Sequence, residues 1–509
     1  MPPHTLPPVV ACGAYERDNL GDLLFLVVAD HFARGIVDVE YTAPIAVDMS
    51  ALLGRRITAT GPTLTEKPAT GIWTVGGEVG STQREYVYRT AVDDAEWTRF
   101  SSLDAAEQDA LLDQVMNARM ESPYVPRPSA FPRNRGARLV LNSVGVSGIG
   151  GLTPWRAAVA TSALREARYI SVRDPKSAEL LERLGIPHRL APDLVHTIAS
   201  VLPIDAPRDS SVLLQLSEGH IRTHGIEAWT DAIVACSELG DHPIRLFVAG
   251  SAPAHDSIER YRELIDRVSA ERPDWDIALS DARSIDDRVR EIATASLWIG
   301  SSLHGRILAC AYGTKRLSIA KPKVDVYAET WDADFPFGVE PSGLPAAVTA
   351  ALEHEPDAAH AAALADSARK SVVDALAVFT EADDAPESDA LAIRIDEVTQ
   401  LQIAAMRLEH EHAEAVRFGK ERAAEALRLA GDRDEQRRAR QAVEKELAES
   451  HARLKKAETE LESLRSRLHE IETSTSWKIG SRLTSVAHAL RLPRPSSLRR
   501  RGRDDSAAR

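Results

Sequence analysis

The chain has 509 residues, a formal net charge of −14 and 27% charged residues. An acidic chain of this length has room for two or three domains with their own cores, and its charge argues against general nucleic-acid binding. Cys12, Cys236 and Cys310 are isolated and form no CxxC pair, which excludes a readable zinc or disulfide framework and fits a reducing, cytoplasmic setting.

The first residues lack a basic start and a long apolar core, so no signal peptide is expected. No run of about 18 apolar residues predicts a membrane span. Val9 to Cys12 reads as a short buried strand. It leads into a polar loop in which Asn19 and Gly21 suit a turn and Asp22 suits the first turn of a helix. Leu23, Leu24, Leu26 and Val27 carry helical spacing to about Arg34. This strand, loop and helix outline a dinucleotide-binding unit, but GxGxxG is absent. Ile36 to Tyr41 and Ile72 to Val75 read as further strands. The second ends in Gly76-Gly77, a pair that permits close backbone approach to a ligand or makes a tight turn. Residues 103–119 read as helix and residues 122–136, rich in Pro and Arg, as loop.

Arg138 to Val144 is a strand that ends in small residues, and Thr153-Pro154 opens a helix. Tyr169 to Val172 is the next strand, with Arg173 at its carboxyl end. Asp174 and Pro175 start a helix that Gly185 stops. Arg173 suits an anion there, or an ion pair with a carboxylate. A polar break at residues 205–210 precedes new strands at Val212–Leu216, Ile244–Val248 and Ile277–Leu279, with helices between. Leu297 to Gly300 is a buried strand that stops at Ser301 and Ser302. A helix starts near His304 and ends before Gly313, and Arg316 to Ile319 is the following strand. In parallel α/β sheets the ligand crevice lies at the carboxyl ends of the strands. Ser301, Ser302, His304 and Arg306 stand there, so an anionic ligand or a proton transfer is the expected chemistry. A Ser-Ser pair before a helix also reads as a cap.

The fold class expected is α/β, with two Rossmann-like domains at 1–204 and 205–345 facing each other across a cleft. Residues 346–389 read as packing helices and a linker. From 390 to 475 the chain lacks proline, and Leu447, Leu454, Leu461 and Leu468 recur every seventh residue. Val443, Ala457, Leu464 and Ile471 fill the alternate core position, with Ser450 a weak link. This heptad seam predicts a coiled coil, most simply a parallel homodimer. Residues 476–509 form a basic tail in which Trp477, Ile479, Leu483, Val486 and Leu490 share a helical face. A basic amphipathic segment of this kind suits an anionic membrane surface, reached through residues 476–503.

Five pieces in order resemble the polysaccharide pyruvyl transferase family. They are Asn19-Leu-Gly-Asp22, Gly76-Gly77 after a strand, Ser171-Val-Arg-Asp-Pro-Lys-Ser177, Pro192-Asp193, and Ser302-Leu-His-Gly-Arg306 followed by Gly313. The resemblance spans roughly residues 9–320. It implies a two-domain fold similar to the GT-B glycosyltransferases. It also implies transfer of a pyruvyl group from phosphoenolpyruvate to a sugar as a ketal, in surface-polysaccharide synthesis. It implies no cofactor beyond phosphoenolpyruvate as donor substrate, and a glycan or lipid-linked sugar as acceptor; the sequence itself offers no metal-ligand cluster. His304 matches the family's motif histidine and takes the role of catalytic acid. Arg173, Arg306, Ser301, Ser302, Asn19, Gly21, Asp22, Gly76 and Gly77 are the expected substrate-binding residues. The family pattern reads Ser-Arg-Leu-His-Gly, whereas this chain has Ser302 at the arginine. That departure keeps two alternatives open: a nucleotide-sugar glycosyltransferase on the same architecture, and a non-catalytic glycan-binding scaffold.

Overall fold

The computed structural model describes residues 6–253, 255–381, 389–429 and 433–473. The chain divides into two compact units, residues 1–180 with 188–386, and residues 181–187 with 387–509.

The first unit holds two sheets. The first is built from β1 (Val9–Cys12), β2 (Val39–Ala43), β3 (Val47–Met49), β4 (Arg55–Ala59), β5 (Gly71–Val75), β6 (Arg138–Val144), β7 (Ala167–Val172) and β8 (Arg189–Leu190). Its order is β3-β4-β2-β1-β5-β6-β7-β8, with β3 antiparallel to β4 and the other pairs parallel. The second sheet holds β9 (Val212–Gln215), β10 (Ile244–Leu246), β11 (Ile277–Leu279), β12 (Leu297–Gly300) and β13 (Lys315–Ser318). It is wholly parallel, in the order β11-β10-β9-β12-β13. The central strands β1, β5, β9 and β12 are buried along their whole length, as apolar strands covered on both faces must be. Strand order reverses between β1 and β5 in one sheet and between β9 and β12 in the other. Such switch points open a crevice at the carboxyl ends.

The helices that matter for the crevice follow β1, β12 and β13: Leu20–Ala33, Leu303–Ala311 and Pro322–Trp331. The helix Ala358–Thr380 returns to the first sheet. Asn142 Nδ2 donates to its Ser371 Oγ at 2.9 Å, and Arg138 Nη1 donates to its Val378 carbonyl at 2.8 Å. The sequence reading missed β3, β4 and the helices Arg84–Ala91 and Asp94–Ser102. Exposed Arg55 and Arg56 on β4 hide the strand's pattern, because only Ile57 turns inward.

In the second unit, two 41-residue helices, Asp389–Leu429 and Arg433–Thr473, pack as an antiparallel pair. Gly419 lies against Leu447, and Arg465 Nη2 pairs with Glu409 across the helices. Over 390–475, where the sequence reading expects a coiled coil, the chain packs two of its own helices together. The seam's nearest partner is the chain's own preceding helix. Of the expected heptad positions, Leu447 is exposed. Val443, Ser450, Leu454, Ala457, Leu461, Leu464, Leu468 and Ile471 are half-buried on an otherwise exposed helix. Among the described residues no helix is long and apolar enough to cross a membrane. The basic tail 476–509 lies outside the described residues.

Candidate active site at the carboxyl ends of both sheets

Asn19 caps the Leu20–Ala33 helix, its side chain accepting from Gly21 N at 3.3 Å. Asn19 Nδ2 also donates to Asp22 Oδ2 at 2.9 Å, and Arg17 donates to the same oxygen through Nη2 at 2.9 Å and Nε at 3.1 Å. Burial opposes the charge on Asp22, but Arg17 and the His304 ring beside it hold the carboxyl below its ordinary value. The loop before this helix is anchored to the second sheet's loops. Leu20 N donates to the Ala249 carbonyl at 2.8 Å, and Arg288 Nη1 meets Asp18 Oδ1 at 2.6 Å.

The helix surface seats His304. A Cβ built on Gly21 would stand 1.7 Å from His304 Nδ1, so only glycine admits the ring at this place. One turn on, Phe25 meets the imidazole edge to face, with centroids 5.1 Å apart. Gly76 closes the other side of Phe25. Its φ of +65° favours glycine, and a Cβ there would lie 2.3 Å from the phenyl ring. The Asn-Leu-Gly-Asp stretch, the double glycine and the His-Gly stretch are thus one packed unit, although some 280 residues separate the first from the last.

Asp193 joins this unit to the end of β7. Arg173 Nη1 donates to Asp193 Oδ2 at 2.8 Å, and His304 Nε2 lies 3.7 Å from the same oxygen. Asp193 is fully buried. Burial works against its charge, yet His304, Arg173 and the Val195 amide hold it far below the usual carboxylate range. The Tyr327 hydroxyl accepts from Asp193 N at 2.9 Å, and Ser143 Oγ accepts from Leu194 N at 2.8 Å. Ser143 takes a φ of +62°, a strained backbone for a non-glycine residue, and this aims its hydroxyl at that loop. His304 Nε2 is buried and has no hydrogen-bond partner. A buried imidazole that turns Nε2 toward a fixed carboxylate can have its ring oriented by Asp193, which also balances charge that develops on it.

Three expected binding residues do other work. Ser301 is fully buried, its N and Oγ both donating to Gln215 Oε1 at 2.9 and 3.2 Å. Ser302 Oγ caps the Leu303–Ala311 helix by accepting from Gly305 N at 3.2 Å. Arg306 turns away from the crevice into the protein. Its guanidinium meets Asp332 Oδ2 at 2.7 Å, Ser318 Oγ at 3.1 Å, and the carbonyls of Asp332, Phe335 and Pro336 at 2.6 to 3.0 Å. A donor set spent wholly on the protein has nothing left for a substrate. Residues two apart on a helix face different sides, so nearness to His304 in sequence misplaced Arg306.

The crevice also holds charged residues for which the sequence reading assigned no role. Glu78 follows Gly77, and burial raises its carboxyl although Arg173 pulls the other way. His255 is pushed down to about 4 by burial, with Arg17 adding to the effect. Lys321 and Lys323 follow β13, and neither ammonium has an ion-pair partner among the described residues. The readable signal was Lys-Pro-Lys after an apolar strand, with Pro322 at the first helical position.

Residues 116–320 match a family model described as polysaccharide pyruvyl transferase. No curated protein matches the chain. Among solved structures, UDP-GlcNAc 2-epimerase from Methanocaldococcus jannaschii is similar at 13% identity and TM-score 0.44, over 73% of this chain and 99% of that one. UDP-GlcNAc 2-epimerase from Neisseria meningitidis bound to UDP-GlcNAc gives 11% identity and TM-score 0.40 over 73% and 99%. The spinosyn rhamnosyltransferase SpnG gives 14% identity and TM-score 0.38 over 73% and 100%. These structural likenesses are distant. Arg173, Asp193 and His304 all lie inside the stretch that matches the family model.

Proposed function

We propose that the protein transfers a pyruvyl group from phosphoenolpyruvate to a sugar of a glycan, forming a cyclic ketal and releasing phosphate. The observation that carries this reading is the Arg173–Asp193–His304 arrangement, in which a buried histidine faces a carboxylate paired with an arginine. The family match over residues 116–320 supports the transferase class.

The steps follow from the donor's chemistry. His304 gives a proton to the methylene carbon of phosphoenolpyruvate, and positive charge develops on the carbon that bears phosphate and carboxylate. One sugar hydroxyl adds there and returns its proton to His304. The carbon–oxygen bond to phosphate then breaks, and a second hydroxyl of the same sugar closes the ketal as its proton leaves with the phosphate. Asp193 holds the imidazole in register through the cycle, and Arg173 keeps that carboxylate ionised. The acceptor fitting this chemistry is a sugar with two hydroxyls close enough to share one carbon, free or lipid-linked.

Phosphate release from phosphoenolpyruvate with a panel of free and lipid-linked glycans tests the reading. The wild type should release phosphate only with a suitable glycan, and His304→Ala should lower the rate by about a hundredfold or more, the usual scale for acid–base catalysis. Undiminished release by His304→Ala, in protein shown to be folded, would remove the histidine from the mechanism.

A further inference from the structure

We propose that Glu78 is the second proton-transfer residue of this site, taking the proton of the sugar hydroxyl that closes the ketal and passing it to the departing phosphate. The role rests on the pyruvyl-transfer reading, whereas the placement of the carboxylate rests on the sheet.

Glu78 stands past the carboxyl end of β5, and the ladder fixes it there. Val79 N donates to the Gly145 carbonyl at 2.9 Å and Gly145 N to the Gly77 carbonyl at 2.8 Å, so Glu78 pairs with Gly145 just past β6. On the next strand Val172 pairs with Val144, and Arg173 N donates to the Val144 carbonyl at 3.3 Å, which carries the register on to Gly145 and Arg173. Residues in register point to the same face of a sheet. Glu78 therefore shares a row with Arg173, whose guanidinium holds Asp193 beside His304. The residue between them has no side chain. A Cβ on Gly145 would lie 2.1 Å from Glu78 Oε2, so the carboxylate occupies the space that the glycine leaves.

The carboxylate is reachable and uncommitted. Glu78 as a residue is exposed. Among the described residues no ion pair claims it, and Arg173 spends its Nη1 on Asp193. The loops packed around the carboxyl raise it above its ordinary value; Arg173 is the main opponent, Asp174 adds to the rise, and the Gly148 amide and Lys323 oppose it. A carboxylate raised in this way is a better base when ionised and sits closer to the working pH.

Ketal closure needs such a group. Once the first hydroxyl has added, its proton sits on His304, so the imidazole has no room for a second. Asp193 is excluded too, because His304 and Arg173 overcome its burial and hold it far below the usual carboxylate range. As the carbon–oxygen bond to phosphate breaks, the second hydroxyl bonds to the same carbon and its proton moves to Glu78. Glu78 then gives that proton to the phosphate, and both residues return to their starting protonation.

Phosphate release, ketal formation by mass spectrometry and calorimetric binding of phosphoenolpyruvate, all on the full chain, separate this role from the reading it rests on. Glu78→Gln, Glu78→Asp, Glu78→Ala and Gly145→Ala are each checked for unchanged circular dichroism. Glu78→Gln should lower kcat by about a hundredfold or more, the usual scale for acid–base catalysis. It should also lose the acidic limb of the wild-type pH–rate profile. Its affinity for phosphoenolpyruvate should be at least that of the wild type, because an anionic donor gains when a nearby negative charge is removed. Glu78→Asp should keep the acidic limb at a reduced rate, and added formate should restore part of the rate of Glu78→Ala. Gly145→Ala, which pushes the carboxylate aside, should lower kcat without weakening donor binding. Wild-type kcat with an unchanged acidic limb in folded Glu78→Gln would overturn the role and leave the pyruvyl-transfer reading standing. Loss of donor affinity in Glu78→Gln as large as the loss of kcat would also overturn it, since the residue would then support binding alone. A wild type that binds no phosphoenolpyruvate and releases no phosphate with any glycan would overturn both.

Discussion

Gly21 shows how much one missing Cβ decides. The His304 ring lies where a side chain at residue 21 would be, and Phe25 leaves the ring no room to slide. Gly21→Ala should therefore displace the imidazole from Asp193 rather than unfold the chain. A shift of about 1 Å at a reacting group can cost on the order of a hundredfold in rate. The expected result is a kcat near that of His304→Ala with a stability loss of about 1–3 kcal/mol from overpacking. A Gly21→Ala enzyme with wild-type kcat would show that the ring does not need this seat. Lys323 offers a second test at the same scale. Its ammonium is pulled from 10.5 to about 8 by burial, then by Lys321 and Arg173, with Asp22 and Glu78 opposing. Between those two values the folded chain binds fewer protons than the unfolded chain, so this group makes stability rise with pH across that window. Below pH 8 the charged lysine is a net cost to the fold. Because Lys323 as a whole is exposed and water screens the effect, Lys323→Gln should melt only slightly above the wild type at pH 7, and the gap should close above about pH 10.5, as paired thermal melts would record. A lysine that serves only the fold would give the opposite sign at pH 7. His304 and Arg173 were legible because Gly, Pro and small residues punctuate their surroundings. The partnership with Asp193 was not, because it depends on loops from separate strands meeting at one oxygen.

At the scale of the element, apolar runs carried most of the information. The sequence places β1, β6 and β12 at their observed bounds, since strands covered on both faces are continuous apolar segments, and it also finds the short edge strand β11. The edge strand β3 and its neighbour β4 are mostly exposed, so nothing in composition separates them from loop. The Pro322–Trp331 helix was missed for a different reason. Val324, Tyr327, Ala328 and Trp331 keep helical spacing, but over only ten residues, and its anchors include two side-chain hydrogen bonds to the first sheet's loops. Elements fixed by such long-range polar contacts are invisible to periodicity. That helix is also the one that brings Lys321 and Lys323 to the crevice, so the sequence looked for the missing cation next to His304. It found Arg306, which Asp332 and three carbonyls claim.

The whole molecule joins a catalytic unit to a pair of long helices, and the second unit raises the question of assembly. The intrachain pair does not finish covering the seam. Leu454, Leu461, Leu464, Leu468 and Ile471 remain half-buried, while Leu447 is 41% exposed and Phe418 on the facing helix is 59% exposed. A long helical pair with apolar residues left on its seam gains by packing against an identical pair, because a four-helix arrangement buries the residual stripe on both sides. The homodimer read from the heptads is therefore proposed in changed form, as two hairpins rather than two single helices. The charged flanks, including Glu444, Glu446, Glu458 and Glu460, would then set register rather than strength. Sedimentation equilibrium of the full chain should give a dimer mass at micromolar concentration. Leu461→Lys with Leu468→Lys should shift that mass to the monomer while leaving phosphoenolpyruvate affinity unchanged, because the crevice residues all belong to the first unit. A wild-type monomer at all accessible concentrations would mean that the hairpin satisfies its own seam and that the leucines serve the intrachain pair alone.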